Sequence, residues 1–220
     1  MTEVTAPSTH HAPQPLAPGL DRLPDRYSVI VADPPWLYKK NPGSKSDGRG
    51  GRGYAEKHYP TMTNEDIAAM PVRDLAADDA HLFMWFTNPG VFGGRFSDIT
   101  PADIAKAWGF EFKTLLTWVK TTNAGDVHGG GMGWYFRGCT EHILYATRGK
   151  ASIASDRRVP NVLMAPRGRH SEKPQAFFDM VEHAIPDARY VELFARTPRP
   201  GWSAWGNDPA LTQETLHEAA

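Results

Sequence analysis

The sequence predicts an α/β layer sandwich around a mainly parallel sheet. Short apolar runs recur along the chain, and those at residues 28–32 and 81–86 contain almost no polar residue. Such runs are typical of strands that are buried on both faces. Segments with helix-capping residues and helical periodicity lie between them. Strands that alternate with helices at this spacing favour a Rossmann-like arrangement of three layers.

The strand predictions follow from apolar, β-branched or aromatic runs that are bounded by turn residues. They cover residues 28–32, 81–86, 112–119, 142–147, 161–164, 190–194 and 202–206. The first run is stopped by Asp33, Pro34 and Pro35. Because the carboxyl ends of parallel strands meet at one edge, this tripeptide is expected at the ligand-binding edge of the sheet.

Capping residues predict the helices. Thr63 is followed three residues later by Asp66, which resembles a capping box. Thr100 and Pro101 give an N-cap and a first-turn proline for a helix to about residue 108, which Gly109 ends. Ser171 is predicted to cap a further helix, in which Phe177, Met180 and Val181 share one face.

Length and composition predict one domain with tails. The chain has 220 residues, of which 40% are hydrophobic and 22% are charged. Residues 1–25 are rich in proline and are expected to be a flexible tail, residues 26–209 the folded domain and residues 210–220 a second tail. The sequence shows neither a signal peptide nor a long apolar segment, and it has one cysteine. We therefore expect a cytoplasmic protein that does not cross a membrane.

The charges are unevenly distributed although the net charge is −1. Residues 37–59 contain six Lys and Arg against two acids, and residues 148–173 contain seven against two. Two basic segments on an acidic body suggest a surface for a polyanion. Two solvated loops would give the same pattern, so charge alone leaves both interpretations open.

The residues after the first strand, Asp33-Pro34-Pro35-Trp36, carry the most specific chemistry. Asp33 supplies a carboxylate acceptor, and the carbonyl of Pro34 supplies a second acceptor. The two prolines fix the backbone, and Trp36 adds a flat aromatic surface. This arrangement suits a planar ring that carries an amine with two N–H donors, such as adenine. The other interpretation is a rigid turn with a packed tryptophan.

This sequence resembles the adenine methyltransferases named after the catalytic subunit of the eukaryotic mRNA adenine methylase. The resemblance runs from residue 27 to residue 208. It includes the tetrapeptide at Asp33 and the segments at 59–62, 83–85, 116–120, 141–142, 171–174, 191–196 and 202–207. It implies a circularly permuted methyltransferase topology, S-adenosylmethionine as methyl donor and the exocyclic amine of adenine as acceptor. No metal is implied.

The resemblance also implies roles for single residues. Asp33, Pro34, Pro35 and Trp36 would be the catalytic set, and Asp33 would also bind the cofactor. The implied cofactor-binding residues are Lys173, Glu192, Phe194, Arg196, Asn207 and Asp208. The implied substrate-binding residues are Tyr38, Lys39, Lys40, Tyr59, Lys120 and Glu141. Lys173 would meet the methionine carboxylate, although a surface lysine at a helix start is the alternative, and Phe194 could equally be a core residue.

The implied nucleic-acid partner is DNA, because a compact chain resembles the bacterial and phage members of this family. RNA methylation by the same mechanism is the first alternative, since nothing in the sequence reads or excludes a 2′-hydroxyl. A non-catalytic nucleic-acid-binding subunit is the second alternative. It is disfavoured because degenerate members tend to lose the tetrapeptide that is intact here.

Overall fold

The fold is built from seven strands and four α-helices, seen in a computed structural model that describes residues 20, 23, 26–37, 61–90, 97–130, 135–168 and 172–206. The strands are β1 (Tyr27–Ala32), β2 (Ala76–Phe86), β3 (Glu111–Thr121), β4 (Thr140–Arg148), β5 (Val162–Pro166), β6 (Tyr190–Leu193) and β7 (Trp202–Trp205). The helices are α1 (Asn64–Ala68), α2 (Val72–Leu75), α3 (Pro101–Ala107) and α4 (Gln175–Ala184). Short 3₁₀ turns cover Asn88–Gly90 and Ser155–Arg157.

All seven strands form one sheet, in the order β5-β3-β4-β2-β1-β6-β7. Strand β4 is antiparallel to its neighbours β2 and β3, and the other four pairings are parallel. The prediction of a mainly parallel sheet is therefore confirmed, with β4 as the exception. The two strands that flank the tetrapeptide strand β1 are β2 and β6, so β1 lies inside the sheet rather than at an edge.

Helices cover the sheet on both faces, which gives the predicted three layers. On one face, Ile30 and Leu82 pack in a cluster with Ile67 of α1 and Ile104 of α3. On the other face, Val31 joins a cluster with residues of α4. The alternation of neighbouring residues Ile30 and Val31 between these clusters follows from the two-residue period of a strand.

The first cluster also includes two residues from the predicted N-terminal tail. Leu20 and Leu23 are buried there and pack with the core of the domain. Burial of their apolar side chains away from water is favourable and stabilises this contact. The proline-rich composition around them does not reveal it. The domain boundaries stay predictions.

The predicted elements are confirmed, with differences at their ends. Strand β2 begins at Ala76, five residues before the predicted start at His81. The sequence pattern missed this part because it contains the polar, exposed Asp78 and Asp79. Helix α2 was not predicted, since its four residues are too few for a periodic pattern. Helix α4 has Pro174 at its N-cap, without a side-chain cap, so the helix begins later than the cap predicted at Ser171. Ser171 itself lies outside the described residues.

The carboxyl edge of the sheet gathers the candidate site residues. Strands β1, β3 and β6 end at this edge, and the antiparallel strand β4 begins there. Asp33, Lys120, Glu141 and Glu192 therefore lie near one another although they are far apart in sequence. In the described part of the chain, no helix has the length and apolarity needed to cross a membrane.

The capping box of α3 provides a test of the fold. The Thr100 side chain accepts a hydrogen bond from the Asp103 backbone N–H, and the Asp103 carboxylate accepts one from the Thr100 N–H. We expect Thr100→Ala to lower the free energy of unfolding by about 1 kcal/mol, because the helix start loses a hydrogen-bond acceptor. Urea denaturation measures this change. The exposed Lys106→Ala in the same helix is the control, and an equal loss in both variants would contradict the assignment.

Candidate active site

The backbone at Asp33-Pro34-Pro35-Trp36 is held by hydrogen bonds on both sides. The Asp33 N–H donates to the Leu193 carbonyl at 3.4 Å, which ties the tetrapeptide to the end of β6. The Pro34 carbonyl accepts the Trp36 N–H at 2.9 Å. This carbonyl is therefore already engaged, which differs from the free acceptor expected from the sequence. Its second lone pair remains for a ligand.

Trp36 is largely a core residue. Its side chain is 8% exposed, and its indole N–H donates to the Trp85 carbonyl at 3.0 Å. Trp36 also forms a β-bridge with Met62. Burial of an indole with its N–H paired stabilises the local fold and fixes the tetrapeptide. Stacking on a substrate base stays a prediction for this residue.

A chain of alternating charges runs through the site. The Lys173 ammonium lies 2.9 Å from the Asp33 carboxylate and 3.2 Å from Glu141 Oε2. The other oxygen of Glu141 lies 2.6 Å from the Lys120 ammonium. The Lys173 ammonium is also 4.8 Å from the centre of the Trp85 ring, which is a cation–π distance. Lys173 is thus held on three sides, and its interpretation as a surface lysine is wrong.

This pairing controls the charge states of the buried groups. Burial alone would raise the pKa of Glu141, but the Lys173 and Lys120 ammonium groups outweigh it and the pKa lies below its ordinary value. Burial alone would lower the pKa of Lys173, yet Asp33 and Glu141 keep it above the ordinary value. Both groups therefore stay charged at neutral pH. A charge that is buried without such partners would be strongly destabilising.

A cavity of about 530 Å³ opens beside this chain of charges. Its size is in the range that holds a nucleoside-sized ligand. Five predicted site residues line it, namely Asp33, Lys173, Glu192, Phe194 and Arg196. Its other lining residues were not predicted as site residues, namely Glu172, Gln175, Phe178, Thr197, Pro198, Arg199 and Pro200. The cavity lies where β6 and β1 end side by side.

Two residues at the end of β6 show how the cavity wall is built. The pKa of Glu192 is raised to about 7, and burial is the main cause. The nearby Arg199 guanidinium opposes this increase, and the Asp33 carboxylate adds to it. Phe194 has a φ of 64°, in the left-handed region that is costly for a residue with a bulky side chain. Its ring packs edge-on against Trp205 at 5.3 Å. Phe194 therefore lines the cavity and contacts the core at the same time.

The remaining predicted site residues divide into two groups. Lys120 and Glu141 lie next to Lys173 but do not line the cavity. Six others lie outside the described residues, namely Tyr38, Lys39, Lys40, Tyr59, Asn207 and Asp208. Among the residues that the structure describes, no group of three His, Cys, Asp or Glu side chains is arranged to hold a metal ion.

Four of the lining residues that sequence reasoning missed share one signal. Thr197, Pro198, Arg199 and Pro200 lie in the connection between β6 and β7, two parallel neighbours. The segment that follows a central strand at the carboxyl edge is a common ligand site in α/β sheets. Phe178 carried no such signal, because an aromatic residue in a helix is usually assigned to the core.

Comparisons with known proteins identify the family. The model of the MT-A70 family matches residues 27–208. The chain belongs to the MT-A70 family. The match starts at the first residue of β1, so it includes the tetrapeptide and the whole described sheet.

The relatives differ in how much of their length is matched. The Type II methyltransferase M.MunI of a Mycoplasma species is 34% identical over 205 residues, which cover 87% of this chain and 82% of the relative. The human N(6)-adenine-specific methyltransferase METTL4 is 28% identical, with 83% of this chain and 37% of the relative covered. The human N(6)-adenosine-methyltransferase catalytic subunit METTL3 is 26% identical, with 83% and 28% covered.

The raised pKa of Glu192 predicts a dependence of stability on pH. Because the pKa of Glu192 is about 7 in the folded protein and its ordinary value, expected in the unfolded chain, is about 4.5, the folded state binds the proton more tightly. The stability contributed by this proton is complete below about pH 4.5 and is lost as the pH rises through 7. Relative to that of Glu192→Gln, the melting temperature of the wild-type protein should fall between pH 5 and pH 8.

Parallel melting curves of the two proteins across this range measure the difference. The comparison cancels the other titrating groups, since both proteins share them. A constant difference in melting temperature would show that Glu192 is as easily ionised in the folded state as in the unfolded state.

Proposed function

We propose that this protein transfers a methyl group from S-adenosylmethionine to the exocyclic amine of adenine in DNA. The observation that carries the proposal is the Asp33 carboxylate, which is fixed at the end of β1, paired with a buried lysine and open to the cavity. Membership in the MT-A70 family supports the same reaction class. Three parts of the proposal need separate support: the donor, the acceptor and the polymer.

The residues of the cavity fit the methyl donor. The lining combines the carboxyl groups of Asp33, Glu172 and Glu192 with three cationic side chains, those of Lys173, Arg196 and Arg199, which suits a ligand that carries both positive and negative charge. Arg199 lines the same cavity, and one of its Nη groups donates to the Gln175 side chain. When bound, S-adenosylmethionine supplies a methyl group on a positively charged sulfur. Glu192, Phe194 and Arg196 would hold it there.

The acceptor is argued from the chemistry of the tetrapeptide. The lone pair of the adenine amine is delocalised into the ring, which makes the amine a poor nucleophile. Asp33 and the Pro34 carbonyl accept hydrogen bonds from this amine and stabilise the positive charge that develops on the nitrogen during attack. Because the Pro34 carbonyl is held by the backbone and the Asp33 carboxylate by its ion pair with Lys173, they need little reorganisation. The proton released from nitrogen passes to Asp33 or to water.

Lys173 supports this role of Asp33 through an ion pair. Its ammonium is 2.9 Å from the Asp33 carboxylate and fixes the direction of that group. Because Lys173 already contacts two carboxylates, one of its three N–H groups is left for another ligand oxygen. The contact between Lys173 and the methionine carboxylate therefore stays a proposal that uses this last donor.

DNA is the favoured polymer because the relative that is matched over most of its own length is a Type II methyltransferase. M.MunI is matched along 82% of its length. By contrast, METTL3 is matched along 28% of its length, so most of that protein has no counterpart here. RNA remains the second candidate because relatives named as adenosine methyltransferases share this domain. In duplex DNA the target adenine would have to be flipped out of the stack before its amine reaches Asp33.

The alternative of a non-catalytic binding subunit has less support. A subunit that only binds has no need for a fixed carboxylate that opens onto a ligand-sized cavity. The structure provides that carboxylate, its lysine partner and the cavity together. We therefore propose an active enzyme.

One experiment tests donor, acceptor and polymer together. The purified protein is incubated with S-adenosylmethionine that is labelled in its methyl group, and with DNA and RNA of matched sequence in single- and double-stranded form. Nucleoside analysis by mass spectrometry then identifies the labelled product. Label in 6-methyladenine from DNA supports the proposal. Label only in RNA would show that RNA is the substrate polymer, and no label in any polymer contradicts catalysis.

Substitution of Asp33 separates chemistry from binding. We expect Asp33→Ala to lower kcat by at least about 10²-fold, because one preorganised acceptor in the transition state is lost. Affinity for S-adenosylhomocysteine should stay within a few-fold, since Lys173 keeps Glu141 as its partner and the rest of the cavity wall is retained; melting curves show whether the variant is folded. The exposed Asp156→Ala, in a 3₁₀ turn, is the matched control. Full activity of the Asp33 variant would show that this residue only shapes the turn and has no catalytic role.

A further inference from the structure

Lys120 and Glu141 are the two predicted substrate-binding residues that the structure describes, and their charged groups face each other. The Lys120 ammonium lies 2.6 Å from Glu141 Oε1, and Glu141 Oε2 lies 3.2 Å from the Lys173 ammonium. The side chains of Lys120 and Glu141 are only 18% and 16% exposed, and neither residue lines the cavity. Both oxygens of Glu141 thus contact ammonium groups of the protein itself, which indicates a supporting role.

The register of β3 against β4 brings Lys120 to Glu141. Trp118 of β3 lies directly opposite Glu141 of β4, and Lys120 follows two residues later on the same face of the sheet. Diagonal neighbours at this spacing are within reach of a long side chain. The Lys120 N–H donates to the Cys139 carbonyl at 2.8 Å, and its carbonyl accepts the His128 N–H at 2.8 Å. The backbone of Lys120 is therefore fixed on both sides.

Two buried tryptophan rings support the two ammonium groups. The Lys120 ammonium lies 5.1 Å from the centre of the Trp118 ring, and the Lys173 ammonium lies 4.8 Å from the centre of the Trp85 ring. Both distances are in the cation–π range. The two rings pack edge to face, with their centres 6.0 Å apart. The positions of both lysines are thus set by one rigid aromatic frame.

The charges along this part of the site are balanced. Two ammonium groups and two carboxylates alternate, in the order Lys120, Glu141, Lys173 and Asp33. Without the Lys120 ammonium, one ammonium group would face two carboxylates. Glu141 would then attract Lys173 more strongly and compete with Asp33 for it, because opposite charges at this distance interact strongly away from bulk water. The direction of the Asp33 carboxylate would be less well fixed as a result.

We infer that Lys120 is a positioning residue for Asp33, and that it acts through Glu141 and Lys173 without contacting the substrate base. This inference rests on the proposed function, since it takes Asp33 as the acceptor for the adenine amine. It differs from the substrate contact that the family resemblance implies for Lys120 and Glu141. Lys120 keeps Glu141 neutralised, and the Lys173 ammonium thereby stays available to hold Asp33.

The test is a double-mutant cycle on methyl transfer, with kcat and the KM for the nucleic acid measured at saturating S-adenosylmethionine. Lys120→Met keeps an unbranched stem over Trp118 and loses the charge. Glu141→Gln keeps the size of the side chain and removes the carboxylate, and a fourth protein carries both changes. The exposed Lys113→Met is the matched control, because Lys113 pairs with Glu111 at the opposite end of β3.

We expect Lys120→Met to lower kcat roughly 3- to 30-fold and to leave the KM for the nucleic acid within about twofold, because Asp33 is misplaced while substrate contacts are kept. In the Glu141→Gln background the same substitution should change kcat by less than about twofold, since the carboxylate that would draw Lys173 away from Asp33 is absent. Lys120→Arg should recover most of the activity, because it restores the positive charge. Lys113→Met should match the wild type.

Three other patterns overturn the inference. A higher KM with unchanged kcat would make Lys120 a substrate-binding residue. An equal loss of kcat in both backgrounds would show that Lys120 acts independently of Glu141, and no loss would show that it has no role in catalysis. Each of these patterns requires an active wild-type protein. A wild type that labels no polymer would instead contradict the proposed function, and this inference with it.

A further variant keeps the test decisive if Lys120→Met does not fold. Lys120→Gln retains an N–H donor toward Glu141 but lacks the charge, so the same two comparisons apply. Melting curves identify the variants that are folded. A loss of kcat in Lys120→Gln that Lys120→Arg reverses supports the inference. Equal kcat values for these two variants would show that the charge at this position is not needed.

Discussion

The site depends on one interaction, which is the buried ammonium of Lys173 between the carboxylates of Asp33 and Glu141. Lys173 precedes α4, Asp33 follows β1 and Glu141 is the second residue of β4. The ion pairs therefore join three separate parts of the fold at one edge of the sheet. Removal of one partner would leave an uncompensated charge in the interior, which is costly. Lys120, paired with the second oxygen of Glu141, completes the balance.

This arrangement gives each wall of the cavity a distinct chemical character. The β1 side presents the Asp33 carboxylate, whose charge is compensated by Lys173. The β6 side presents Glu192, whose pKa of about 7 reflects burial with less compensation, and beyond it the guanidinium of Arg199. Under the proposed function, one wall would activate the amine and the other would bind the polar part of the nucleoside. The Phe194 backbone turns sharply between β6 and this second wall.

Much of the fold was predictable because strands and helix caps are local signals. The apolar runs located all seven strands, and Thr100, Pro101 and Gly109 marked both ends of α3. The short α2 and the start of α4 were missed, since neither has a local signal of sufficient length. Of the residues that line the cavity, the tetrapeptide indicated Asp33, and the family resemblance indicated Lys173, Glu192, Phe194 and Arg196.

By itself, the sequence determined the layer architecture, the tetrapeptide at the end of a buried strand and the family. These follow from patterns that neighbouring residues carry. Only the tertiary structure decided that Lys173 contacts both Asp33 and Glu141, that Trp36 is mostly buried, and that Arg199 stacks on Phe178. Such contacts join residues that are distant in the chain. They depend on strand order and on the direction of β4, which no local pattern specifies.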